Sequence, residues 1–376
     1  MNAFLPYLPY ALAILFTAAF PLVVGYLVLA ERKILADFQA RLGPMRVGPH
    51  GLLQPFADAI KILIKEDLIP RDADKALFIL GPIISISMAF ASFAVIPVTK
   101  VIRISDVNVG LLVISAFAAV GIFGLILGGW SSNSHYSMLG ALRAAAQLIS
   151  YEVALGLALV SVVMLAGTLS MTGIVEAQLA KRVWFVFGNY GFMILTFYVF
   201  LIAAVAEINR APFDLPEAES EIVAGYHTEY SGFRWGLYML AEYTNTFILC
   251  CVAVTLFFGG WLRPFPNYSW LAYPMDSIFP FALFLISAYG LVRMKLYPLA
   301  ALLALSGVAF LLPTLAELAS GPFWFFLKVS GVIYVLIWFR ATWPRLRYDQ
   351  LMDLGWKRLI PLGLGCLFGN AILGMF

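Results

Sequence analysis

Residues 76–98 read ALFILGPIISISMAFASFAVIPV, with no charged side chain between Lys75 and Lys100. A bilayer core about 30 Å thick is crossed by about 20 apolar helical residues, so this stretch reads as a membrane span. Seven more runs of that kind surround it: Leu8 to Ala30, Gly110 to Trp130, Ala144 to Thr168, Val183 to Ala206, Trp235 to Gly260, Pro322 to Phe339 and Leu359 to Phe376. The fold class is therefore all-α, a polytopic transmembrane helix bundle with eight core spans. Composition agrees: 62% of the 376 residues are hydrophobic and only 12% charged, against roughly 25% charged in a soluble domain. A soluble enzyme, a disordered chain and a secreted disulfide scaffold are excluded. Residues 1–376 are read as a single integral membrane domain.

The stretch 263–321 holds two shorter apolar runs, Ile278 to Val292 and Leu296 to Pro313, parted by Arg293, Met294 and Lys295. It reads as an inserted hairpin, either crossing fully or lying tilted or re-entrant. The first apolar run lacks a preceding basic residue and a following small-residue cleavage site, so it is expected to stay as an anchor rather than be removed as a signal peptide. Counted by side, 18 Lys and Arg fall in the first, third, fifth and last inter-span loops and the hairpin tip, and 5 on the other side. The positive-inside rule places the 18-residue side in the cytoplasm and both termini outside. A net charge of +3 distributed this way gives no reason to expect a nucleic-acid partner.

Residues 49–68, within PHGLLQPFADAIKILIKEDLI, alternate with helical period: Leu52, Leu53, Phe56, Ile60, Leu63 and Ile64 on one face, Gln54, Asp58, Lys61 and Lys65 on the other. An amphipathic cytoplasmic helix follows, either covering the ends of neighbouring spans or roofing a cavity for a lipid-soluble ligand. Just upstream, Arg41 and Arg46 sit among two Gly-Pro turns.

The loop 207–234 is acidic where its neighbours are basic, with Glu207, Asp214, Glu217, Glu219, Glu221 and Glu229 against Arg210 and Arg234. Pro216 followed by glutamates suits the first turn of a helix, and Glu217 and Glu221 then share a face. Apolar residues and two prolines interleave the charges, which favours a segment folded back into protein over a solvated surface. Two further carboxylates, Glu152 and Glu242, fall inside apolar runs, and Glu207 at the end of another. An ionisable group at membrane depth costs at least about 2.5 kcal/mol and is a functional candidate by default, with snorkelling or a structural ion pair as the alternative. With Glu31 they compose a candidate path of protonatable groups. The arginines of the last loop, Arg340, Arg345 and Arg347, either set topology, neutralise the acidic loop or bind a headgroup.

Redox cofactors find few ligands here. Cys250, Cys251 and Cys366 are too few for a four-thiolate cluster, no Cys-x-x-Cys pair occurs, and His50, His135 and His227 lack the spacing of haem or metal ligands. No two-halves repeat of the secondary-transporter kind is found.

Four segments carry a family resemblance: GLLQPFADAIK (51–61), LGALRAAAQLISYE (139–152), RAPFDLPEAESEIVAGYHTEYSG (210–232) and RATWPRLRYDQLMDLGWK (340–357). Together they resemble the H-subunit family of proton-translocating NADH-quinone oxidoreductase, respiratory complex I, over nearly the whole chain outside 263–321. The resemblance implies a membrane subunit that forms much of a quinone chamber with peripheral subunits, one of which holds the terminal iron–sulfur cluster, and that neighbours small membrane subunits and lipid. It implies a quinone, ubiquinone or menaquinone, as substrate, with no FMN, iron–sulfur cluster or metal bound by this chain alone. By the same carry-over, Glu31, Arg32, Arg41, Arg46, Asp58, Lys61, Tyr226 and Glu229 are expected at the quinone path. Glu152, Glu207, Arg210, Asp214, Glu217, Glu219, Glu221 and Glu242 are expected to couple quinone reduction to proton translocation. The implied location is an energy-conserving membrane, the bacterial inner membrane. The hairpin departs from the family's eight spans and is expected to be peripheral. Competing readings are the related subunit of a hydrogenase-type complex, a stand-alone ion transporter and a purely structural anchor.

Overall fold

The computed structural model describes residues 8–216 and 222–374. Among them there is no strand. The helices are α1 (Leu8–Phe38), α2 (Gln54–Ile64), α3 (Lys75–Phe93), α4 (Gly110–Ser131), α5 (His135–Ala166), α6 (Met171–Lys181), α7 (Met193–Glu207), α8 (Gly232–Phe257), α9 (Phe279–Arg293), α10 (Tyr297–Ala309), α11 (Pro313–Thr342), α12 (Tyr348–Asp353) and α13 (Ile360–Leu373). Among the described residues, seven helices are long and apolar enough to cross a bilayer: α1, α3, α4, α5, α8, α11 and the segment Ser269–Arg293 that ends in α9.

Local chemistry sets several of these bounds. The Asp74 carboxylate accepts from the Ala76 and Leu77 amides and opens α3. Ser170 does the same for α6 through Gly173. The turn after α5 places Gly167 at φ 72, a left-handed position that glycine takes without a Cβ penalty.

The expected spans are corrected in three places. The run from Val183 does not form one crossing helix: Asn189, Tyr190 and Gly191 all adopt positive φ, so two short 3-10 turns precede α7, which has only 15 residues. At 1.5 Å per residue that is about 22 Å, less than the bilayer core. Pro322, expected to open a span, instead lies inside α11, which starts at Pro313 and absorbs the end of the expected hairpin. The last span is α13, 14 residues long, continued backward through a π-turn over Leu354–Leu359 into α12. The hairpin itself is α9 and α10, joined by the tip at Met294 and Lys295.

Loops gather at two ends. At one end, the Leu68 amide donates to Ser231 Oγ (3.1 Å), the Leu346 amide to the Pro212 carbonyl (3.0 Å), and His50 Nε2 lies 3.0 Å from the Met294 carbonyl at the hairpin tip. At the other, Lys100 pairs with Glu176 at 2.8 Å and Asn267 donates to the Arg182 carbonyl at 2.7 Å. Lys328 of α11 donates there to the Phe258 and Leu262 carbonyls just past α8, satisfying acceptors that a helix end leaves open. The basic loops and the hairpin tip thus share one end.

The core lies where α5, α7 and α8 meet, around Tyr151, Val162, Met193, Phe200, Cys251 and Phe257. At about 25 cal/mol per Å² such burial drives association in water; within a bilayer the same contacts act through close packing instead. The hairpin packs outside this core against α11, with Phe279 stacked on Trp324 at 5.3 Å and Phe310 edge-on to Phe323 at 5.5 Å.

Candidate functional site

Three apolar helices each contribute a carboxylate to one cavity. Glu152 of α5, Glu207 at the end of α7 and Glu242 of α8 line a cavity of about 350 Å³ bounded also by α3 and α4, with Ser85, Asn209 and Tyr238 among its polar wall residues. The three acids are separate candidates along the sequence; the fold makes them neighbours.

Their surroundings differ. Glu242 is buried, accepts from the Tyr226 hydroxyl at 2.8 Å and stands 3.5 Å from Arg210 Nη2. The Arg210 guanidinium lies over the Tyr243 ring, 4.3 Å from its centroid, which holds the fork in place. Glu152 and Glu207 have no ion-pair partner among the described residues, and Glu207 Oε2 is buried without a hydrogen bond.

The acidic loop is tied to α5 on both sides. The Gln147 amide, fully buried, donates to the Ala206 carbonyl (2.7 Å), the Phe213 carbonyl (2.8 Å) and Asn209 Oδ1 (3.1 Å), fixing the turn that leaves α7. Ser137 Oγ donates to the Tyr226 carbonyl at 2.8 Å. Gly140 makes that approach possible: a Cβ there would come within 2.7 Å of Gly225 Cα and the Tyr226 nitrogen. Asp214 is half-buried, and its carbonyl accepts from Arg345 of the last loop. Glu217, Glu219 and Glu221 lie outside the described residues.

A second, smaller space of about 30 Å³ lies between α1, α7, α8 and α11, lined by Glu31, Arg210, Tyr243 and Arg340. It has room for about one water. Glu31 of α1 is buried and hydrogen-bonded to Arg340 of α11. Arg210 therefore faces the small space on one side and Glu242, in the wall of the large one, on the other. From Glu31 to Glu152 the ionisable groups lie in or beside these two cavities, with the pairs Glu31–Arg340 and Arg210–Glu242 among them.

On the outer surface of this end, Asp58 of α2 gathers Arg32 (2.8 Å), Lys61 (3.6 Å) and the Gln54 amide (3.0 Å). The polar side of α2 thus turns toward α1, and its apolar side is left open: Ile60, Leu63 and Ile64 are 56%, 63% and 79% exposed. Arg41 contacts Gln39 (2.6 Å) and, like Arg46, is exposed, apart from the carboxylate groups. Glu229 is half-buried in the turn before α8. Tyr226 is fully buried and belongs with Glu242, not with the exposed residues around Asp58. Beside it His227 is held by burial down to about 4, well below the ordinary 6.5 of an imidazole, and its Nδ1 has no hydrogen-bond partner.

Gln147, Tyr238 and Ser85 escape a reading of the sequence by its charges. Tyr238 and Glu242 are one helical turn apart, so a helical wheel centred on Glu242 would find Tyr238, whereas Gln147, five residues before Glu152, falls on another face. Ser85 carries no such signal in its own helix.

Fold and site together define an integral membrane protein with an acid-lined cavity inside its helix bundle. Comparison with known proteins sharpens that class. Residues 11–371 match the family described as NADH dehydrogenase. A chain from Solibacter usitatus (strain Ellin6076), named as an H subunit of NADH-quinone oxidoreductase, is 59% identical over 380 residues, covering 98% of this chain and 97% of its own length. An H subunit from Koribacter versatilis (strain Ellin345) is 49% identical, covering 92% of this chain and 86% of its own length, and one from Bacillus mycoides (strain KBAB4) is 44% identical, covering 97% and 93%. The chain belongs to the NADH dehydrogenase family, as an H subunit of NADH-quinone oxidoreductase.

Proposed function

We propose that this chain forms much of the quinone chamber of a proton-translocating NADH-quinone oxidoreductase and couples quinone reduction to proton movement without carrying electrons itself. The observation that carries the reading is the arrangement of ionisable groups from Glu31 and Arg340, beside the small space, to Arg210 and Glu242 and the cavity lined by Glu207 and Glu152. Arg32, Arg41, Arg46, Asp58, Lys61 and Glu229 stand at the loop-rich end, where a quinone headgroup would meet charged donors, with Tyr226 at the inner limit. Reduction of quinone by a cluster in a peripheral subunit creates a demand for protons there. Arg210, shared between the two spaces, responds to a change of charge on either side and passes it to Glu242. Asp214, together with Glu217, Glu219 and Glu221 of the same stretch of sequence, completes the coupling path in this reading.

The loop-rich end faces the cytoplasm of a bacterium, both termini lie on the outer side of its inner membrane, and the exposed apolar side of α2 meets peripheral subunits of the complex. The rest of the chain, one integral membrane unit, is bordered by small membrane subunits and lipid.

The test is photoaffinity labelling of the assembled complex with a quinone analogue and peptide mapping of this chain. Labelling within residues 31–65 or 210–232, displaced by excess quinone, is the expected result. Labelling confined to other subunits would remove the quinone half of the proposal.

A further inference from the structure

The large cavity has features that proton transfer alone does not use. It holds about 350 Å³, within the range of small-molecule sites. Its walls are chiefly apolar, from Phe117 and Ile122 of α4 to Leu159 and Val160 of α5. Two of its three carboxylates, Glu152 and Glu207, have no cation among the described residues.

The cavity is reached from the bilayer. Leu112 and Val160, both in its lining, are 54% and 47% exposed, and a Cβ at Gly156, one helical turn before Val160 and also in the lining, would meet nothing within 4 Å. The opening runs between α4 and α5, away from the loop-rich end.

We infer that this cavity binds lipophilic ammonium ions, amines with one positive charge and an apolar body, which enter from the membrane between α4 and α5. Ligand chemistry decides among the alternatives. A hard divalent cation such as Mg2+ or Ca2+ needs six or more oxygen ligands, which apolar walls do not supply. A neutral apolar molecule leaves the carboxylates uncompensated. A protonated amine meets both demands: its N–H donates to a glutamate, its charge offsets the acids, and its apolar part covers the α4 and α5 side chains. Binding at this site is independent of the coupling role proposed above; only the inhibition that would follow from it depends on that role.

The experiment uses the assembled complex in native membranes and a diazirine-bearing hydrophobic tertiary amine, with an isostere carrying carbon in place of nitrogen as its neutral counterpart. Labelling is expected within residues 111–125 and 152–163, displaced by excess unlabelled amine and by neither the neutral isostere nor a quinone analogue. Glu152→Gln should weaken labelling at least about ten-fold, the order of one lost charge-assisted bond. Gly156→Leu, which fills the opening while keeping every carboxylate, should abolish it. Equal labelling by the neutral isostere, labelling unchanged in both variants, or labelling only of other subunits would overturn the proposal. Labelling without loss of coupled turnover would uphold the site and count against the proton path.

Discussion

The bundle of α3, α4, α5, α7 and α8 and the hairpin of α9 and α10 are equally apolar to a hydropathy reading, yet they are built for different neighbours. In the most apolar stretch of α8, 67% of residues are buried within the protein, against 17% in the segment that ends in α9. The bundle carries Glu152, Glu207 and Glu242; between Ser277 and Leu312 the only charges are Arg293 and Lys295, at the tip. The difference teaches that apolarity decides which segments enter the bilayer, whereas a carboxylate within such a segment decides which of them must face protein.

The sharpest way to break this contrast is to neutralise the bundle acids one at a time. Glu207→Gln and Glu242→Gln are each expected to lower coupled NADH-to-quinone turnover by about 100-fold, the scale of a lost proton-transfer group. NADH oxidation by an artificial acceptor should stay unchanged, and equal loss of both rates would mean failed assembly instead.

Next in size is stability. Arg210→Met leaves Glu242 without the cation it faces, and breaking a buried pair from one side costs about 3 kcal/mol or more. Thermal unfolding of the variant subunit in mild detergent should come clearly earlier, and Glu242→Gln added to it should restore part of the loss.

A smaller effect concerns pH. His227 is neutral when folded down to about 4, while the unfolded imidazole takes up its proton near 6.5. Its contribution to stability is complete above pH 6.5 and is lost as pH falls from there through 4. His227→Phe should flatten the pH dependence of unfolding in that window and leave it unaltered above about pH 7.

The hairpin should give the least. Removing α9 and α10 with a short linker across their ends is expected to leave quinone reduction near the parent rate, since their contacts are with α11 and the His50 turn and reach none of the cavity residues. Loss of quinone reduction in an assembled complex would erase the distinction between the two regions.

Much of this is legible in the sequence. Uncharged runs such as 76–98 fix the number and rough place of the helices, and the acids stand out one by one because a charge is rare there. The shortening of α7 is not legible, because it depends on three successive left-handed residues, including Tyr190, which carries no sequence preference for that conformation. The start of α11 escapes because a proline more often opens a helix than lies within one, and Pro322 does the latter. Nor can periodicity show that Glu152, Glu207 and Glu242 share one space, since that follows from how three helices pack, or that Gln147 binds the turn after α7 across 59 residues of chain.

The bond between Glu31 and Arg340 spans 309 positions of sequence. During synthesis at about 5–20 residues per second, about 15 to 60 s separate the appearance of the two side chains. Throughout that interval the carboxylate of the first helix is without its Arg340 partner. Its final seating in the bundle therefore waits for α11, so the earliest helix made is among the last to settle, and a chain interrupted before Arg340 leaves the insertion machinery with an unfinished α1.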